Sequence, residues 1–123
     1  MISCGIWQSG HKLVAVVLGD AGRARKPIWV PCNERAAEAL VAHLVEDAGA
    51  EIVLPASLLT EPIGRACSTG LWIVPCGLVE PIQKAAALSA RATAAMLARL
   101  PRIPALRRQL RRHATDPRQL SLL

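Results

Sequence analysis

Glu51-Ile-Val-Leu-Pro55, then Ala56-Ser-Leu-Leu-Thr-Glu-Pro-Ile-Gly-Arg-Ala-Cys-Ser-Thr-Gly70, then Leu71-Trp-Ile-Val-Pro-Cys76 is the stretch that decides the fold. Two short runs of Ile, Val, Leu and Trp without polar alternation suit strands covered on both faces. Between them Glu61 and Pro62 open a short helix: proline at the first helical position loses no hydrogen bond, and an acid favours the positive end of the helix dipole. Strand, helix and strand in this order predict a βαβ crossover with parallel strands. The Glu-Pro-Ile triplet recurs at Glu80-Pro81-Ile82, where it reads as the start of the next helix. Glu61 and Glu80 are thereby expected at the strand-to-helix edge where open α/β sheets place their sites.

Outward from this unit, residues 3–10, 12–18 and 26–32 read as three antiparallel strands in succession, the last bracketed by Pro27 and Pro31. Asn33 is placed to cap a helix over residues 34–48, in which Ala37, Leu40, Val41, Leu44 and Val45 recur at helical spacing and Gly49 closes the element. Beyond the crossover, an alanine-rich helix is expected over residues 81–100, ended by Pro101 and Pro104, followed by a short basic helix over residues 106–113. The expected class is α/β: a three-strand antiparallel meander followed by parallel βαβ strands with flanking helices. The division is a domain at residues 1–100 and a basic tail at residues 101–123.

Charge is unevenly spread. The chain of 123 residues carries a net charge of +6, yet residues 84–123 hold nine of its fifteen Lys and Arg against a single acid, Asp116. A near-neutral body with a cationic end is the footprint of an anionic partner, nucleic acid first. Arg107, Arg108, Arg111 and Arg112 are the candidates for non-specific nucleic-acid contact. Read as a helix, they stack like charges four residues apart, a repulsion that an anionic partner would remove.

Cys4, Cys32, Cys67 and Cys76 show no CxxC or Cys/His metal spacing and are expected as buried thiols of a cytoplasmic protein. No apolar run approaches the ~20 residues of a membrane span, so no membrane partner is expected. His11, His43 and His113 have no adjacent nucleophile, and no phosphate-binding glycine loop is present. Trp7, Trp29 and Trp72 each fall in a predicted strand, which assigns them to packing. Tyr and Phe are absent, which leaves few platforms for stacking bases. The apolar share of 52% makes a homodimer an open expectation.

The order meander, helix, parallel strands resembles the RNase H-like fold. Residues 5–88 look like the N-terminal, RuvC-like domain of DEDD transposases of bacterial insertion sequences. Gly5-Ile6-Trp7 stands where that family has Gly-Ile-Asp, Leu54-Pro55-Ala56-Ser57 where it has Val-Glu-Ala-Thr, and Val79-Glu80-Pro81 near its Val-Asn-Pro. The resemblance implies a two-metal nuclease ancestry, but Trp7 and Pro55 cannot ligate magnesium. No catalytic residue, metal or cofactor is therefore expected. The alternatives are a metal-dependent nuclease or transposase relative using Glu61 and Glu80, or a small-molecule-binding α/β domain.

Gln119-Leu-Ser-Leu-Leu123 resembles the Gln-Leu-Ser/Asp-Leu-Phe peptide by which bacterial replication and repair proteins bind the DNA sliding clamp. By that resemblance Gln119 fixes register, and Leu120, Leu122 and Leu123 fill apolar subsites. Leu123 departs from the usual phenylalanine. The same leucines could instead cap the domain's own core. The expected function is a non-catalytic adaptor for DNA replication or repair.

Overall fold

The computed structural model describes residues 1–58, 60–67 and 71–113. These residues form an α/β domain: a mixed six-stranded sheet between two helical layers, with five α-helices. Strands β1 (Ser3–Ser9), β2 (Lys12–Leu18) and β3 (Ile28–Pro31) make the antiparallel meander. Helix α1 (Glu34–Ala48) crosses to β4 (Glu51–Pro55), which lies parallel to β1 with Cys4 opposite Ile52. A 3-10 turn at Ala56–Leu58 and helix α2 (Glu61–Ala66) lead to β5 (Leu71–Val74), parallel to β4 with Val53 opposite Trp72. Helices α3 (Cys76–Ala85), α4 (Ala90–Arg99) and α5 (Pro104–Arg107) follow, then β6 (Arg111–His113). The sheet order is β3-β2-β1-β4-β5-β6.

Local chemistry explains the boundaries around the crossover. The Asn33 side chain accepts from the Ala36 amide at 2.8 Å and starts α1; Gly49, at φ 63°, ends it in the left-handed conformation that glycine tolerates best. Thr60 Oγ1 accepts from the Ile63 amide at 3.4 Å, leaving Glu61 and Pro62 in the first turn of α2.

Side-chain alternation sorts the sheet into two faces. Cys4, Ile6, Leu13, Ala15, Val17, Ile52, Leu54, Leu71 and Ile73 pack under α1 and α2 with Leu40, Val41, Leu44 and Ile63. On the reverse, Val14, Val16, Val53, Trp72 and Val74 meet Ile82, Ala94, Leu97, Leu100 and Leu110. Gly5 lies on this second face, where α4 sits so close that a Cβ at Gly5 would be 1.9 Å from the Ala94 carbonyl oxygen and 2.8 Å from the Ala98 nitrogen. Ser3 Oγ donates to the Ala98 carbonyl at 2.6 Å, fixing the far end of α4 on the same strand.

Three expectations are corrected. The helix over residues 81–100 is two helices that break at Ala86–Ser89; Ala87 and Leu88 have φ of 53° and 61°, and Ser89 Oγ accepts from the Ala92 amide to start α4. The first of the two begins at Cys76, so Pro81 lies inside it rather than at its start. Finally, the basic helix over residues 106–113 is replaced by the end of α5 and by β6, which pairs antiparallel with β5 through Trp72 opposite Arg112. Pairing covers what would otherwise be the open edge of β5. Residues 101–113 thus fold onto the body. Among the described residues no helix is long and apolar enough to cross a membrane.

Candidate functional site

The carboxyl ends of β1 and β4 come together around Trp7 and Pro55. A shallow cavity there is lined by Trp7, Gln8, Gly10, Pro55, Ser57 and Leu58. Ser57 also borders an apolar cavity of about 250 Å³ between α1 and the segment leading into α2, walled by Ile6, Leu13, Ala37, Leu40, Leu54 and Ile63. On its other side Ser57 borders a cavity of about 200 Å³ with Pro55, Cys76, Val79, Glu80 and Gln83. The edge therefore consists of apolar, amide and hydroxyl groups, with Glu80 and Glu34 as its acids.

Glu61 and Glu80 each face a cation of their own helix. Glu80 lies in the second turn of α3, facing Lys84 at 3.1 Å, because the helix begins four residues earlier than its Glu-Pro-Ile triplet suggests. Glu61, in the first turn of α2, is 4.0 Å from Arg65 and does not line the cavity that Glu80 borders. Each is an exposed acid with a cation one turn away on its own helix, a pairing worth a few tenths of a kcal/mol. Among the described residues no group of three His, Cys, Asp or Glu side chains is close enough to hold a metal ion. Asp20 sits in the turn after β2; a hydrogen bond from the Met1 ammonium holds its carboxyl below the usual range. His43 pairs with Asp47 on the exposed side of α1.

No disulfide links cysteines among the described residues, and of the four thiols expected to be buried two are exposed. Cys4 and Cys67 lie in the core, where burial pushes their thiols up to about 12 and about 11, whereas Cys32 and Cys76 are exposed. A thiol that holds its proton at neutral pH is a packing group and a poor nucleophile.

The arginine segment has a more definite arrangement. Arg112 places its guanidinium 4.4 Å from the centre of the Trp72 ring and donates to Glu51 at 3.0 Å. Arg107, on α5, lies 5.0 Å from the same ring. Trp72 is 5% exposed, and its indole Nε1 has no hydrogen-bond partner. Two guanidiniums on one ring are cation–π contacts that fasten α5 and β6 to the sheet. Arg108 and Arg111 are exposed and make neither contact. The four arginines chosen from sequence thus divide into two that hold the structure and two that face solvent. Sequence spacing missed this because Trp72 and Glu51 lie far away along the chain. Gln119, Leu120, Leu122 and Leu123 lie outside the described residues.

No model of a known protein family matches the chain, and no curated protein matches it.

Proposed function

We propose that this chain is a non-catalytic adaptor built on an RNase H-like domain. It docks on the bacterial DNA sliding clamp through Gln119, Leu120, Leu122 and Leu123, and it touches nucleic acid non-specifically through its arginine-rich segment. The observation that carries the reading is strand order with direction: in β3-β2-β1-β4-β5, only β2 runs against the other four, the arrangement that characterises RNase H-like domains. Trp7 and Pro55 stand at the edge where the resembled nucleases converge acids on two metal ions, and neither side chain can ligate magnesium.

The tail supports the second half of the reading. The clamp-like peptide follows β6 after five residues, 114–118. A short peptide that delivers a few apolar anchors into a preformed groove binds with modest affinity, since ordering it costs entropy. The test is a titration of a bacterial sliding clamp with the full chain and with a chain ending at Pro117. Micromolar binding that disappears on truncation supports the reading; equal or absent binding in both removes the clamp from it.

The cavity beside Glu80 favours one alternative, a small-molecule-binding α/β domain; the other is a metal-dependent nuclease relative. The adaptor reading predicts no Mg²⁺-dependent cleavage of single- or double-stranded DNA. Cleavage that is lost on Glu80→Gln would replace it with the nuclease.

A further inference from the structure

We infer that the layer formed by α4 and α5 is a binding surface for the phosphodiester backbone of duplex nucleic acid, carried by Arg91, Arg99 and Arg108, while Arg107 and Arg112 position that layer. The inference rests on the nucleic-acid half of the proposed function and reassigns the residues that perform it.

Charge balance along the layer comes first. From Pro81 to His113 the chain contains no Asp or Glu and eight Lys or Arg. Four of the eight are engaged within the fold. Arg102 donates to Ser3 Oγ at 3.1 Å and to the carbonyls of Met1 and Leu18 at 2.8 and 2.9 Å. Lys84 pairs with Glu80, Arg112 with Glu51 and Trp72, and Arg107 with Trp72. Arg91, Arg99, Arg108 and Arg111 are the other four: all are exposed, and none has a carboxylate partner among the described residues. Arg111 pairs with Ile73 and so faces the α1 side of the sheet, whereas Arg91, Arg99 and Arg108 belong to the α4 and α5 layer. Unneutralised charge of one sign, concentrated in one layer, is what a polyanion recognises.

Geometry narrows the partner. On α4, Thr93, Ala94, Leu97 and Ala98 are buried against the sheet, so the helix has no apolar side left to lay into a bilayer. Arg91 and Arg99 are eight residues apart, about 12 Å along the helix axis at 1.5 Å per residue, with the small Ala92 and Ala95 between them. A low surface studded with well-separated guanidiniums suits a rigid, uniformly charged backbone, and the planar fork of each group matches phosphate oxygens. The opposite layer reinforces the orientation: α1 carries Glu34, Glu38, Glu46 and Asp47 against Arg35 alone. A polyanion would repel that side.

The test is anisotropy of a labelled DNA duplex of mixed sequence, titrated over a range of salt with the full chain. Three phosphate contacts predict a slope of log K against log salt of about −3, and little sequence preference. Changing Arg91, Arg99 and Arg108 together to Gln should flatten that slope with circular dichroism unchanged, and Arg111→Gln, on the opposite face, should not. By contrast, Arg107→Gln should alter indole emission and leave the slope close to that of the unchanged chain. Failure of the full chain to bind duplex, an undiminished slope in the threefold variant, or binding to phosphatidylserine vesicles in preference to duplex would overturn the inference. The chain ending at Pro117 keeps all three arginines, so it should retain duplex binding even where clamp binding is lost. The two readings can thus fail separately.

Discussion

One sheet is covered by two helical layers that solve the packing problem in opposite ways. The α1 layer buries large side chains, Leu40, Val41, Leu44 and Val45, and stands off the strands by the width of those groups. The α4 layer has alanine where α1 has leucine, and its backbone comes down onto Gly5 until no Cβ would fit between them. In one layer adhesion comes from the volume of buried side chains, in the other from backbone proximity, with Arg102 and the Trp72 cluster clamping its far end. The outer surfaces differ as well: acids predominate on α1, and arginines without carboxylate partners lie on α4 and beyond it. Close packing through small residues leaves the second layer's long side chains free to face outward.

The contrast breaks most visibly at Gly5. Gly5→Ala should cost about 3 kcal/mol or more, because backbone must move on α4 to admit the methyl group. Leu44→Ala, its counterpart under α1, should cost about 2 to 3 kcal/mol through an ordinary cavity. Urea unfolding measures both; a cost for Gly5→Ala within about 0.5 kcal/mol would show that α4 does not pack as described. Next in size is Arg102→Ala. It removes charge-assisted hydrogen bonds to Ser3, Met1 and Leu18 and should cost about 2 kcal/mol. No loss of stability in the same assay would separate α4's anchoring from this arginine.

The buried thiols probe the α1 side. Cys4 and Cys67 belong to the core under α1 and α2, while Cys32 and Cys76 are exposed. At neutral pH a thiol reagent should modify Cys32 and Cys76 quickly and Cys4 and Cys67 only at the rate of opening. Burial raises the folded-state values of the latter pair above the ordinary 9.0, so the folded chain keeps these protons longer than the unfolded one. Their contribution is complete below pH 9 and is lost as pH rises through about 11 and about 12. Equal labelling of all four thiols in the native protein would contradict the packing of this face. The smallest effect concerns the break before α4: Leu88, at φ 61° and 72% exposed, should gain about 0.5 to 1 kcal/mol on Leu88→Gly, read as a higher midpoint.

Much of the α1 layer is legible in the sequence because its signals are local. Asn33, the spacing of Leu40 and Leu44, and Gly49 mark one helix from end to end, and Thr60-Glu-Pro marks the next. The second layer is less legible for the same reason it packs closely. Its run of alanines has no periodicity to show where one helix stops, and the signal that did exist, Ser89 as a cap, is a single residue. Pro81 misleads because proline usually opens a helix, whereas here α3 starts at Cys76 and continues through it. Strand β6 has no local signal at all: an arginine-rich segment with weak strand preference pairs because β5 offers an open edge, and Trp72 and Glu51 receive its side chains. At the site, the absence of acids at Trp7 and Pro55 was readable from residue identity. The place of Glu80 in the second turn of α3, facing Lys84, was not, since it depends on where α3 begins.

The proposed function joins a clamp-binding tail to a DNA-binding layer, with five residues between β6 and the clamp-like peptide. Its most direct test is the affinity of the full chain for a sliding clamp loaded on duplex DNA, compared with the same clamp free in solution. Two linked contacts predict tighter binding to the loaded clamp, by about 10- to 100-fold at low salt, since the second contact becomes intramolecular. The gain should vanish when Arg91, Arg99 and Arg108 are changed to Gln, and all clamp binding should vanish in the chain ending at Pro117. Equal affinity for loaded and free clamp, or a gain that survives loss of the three arginines, would contradict the account.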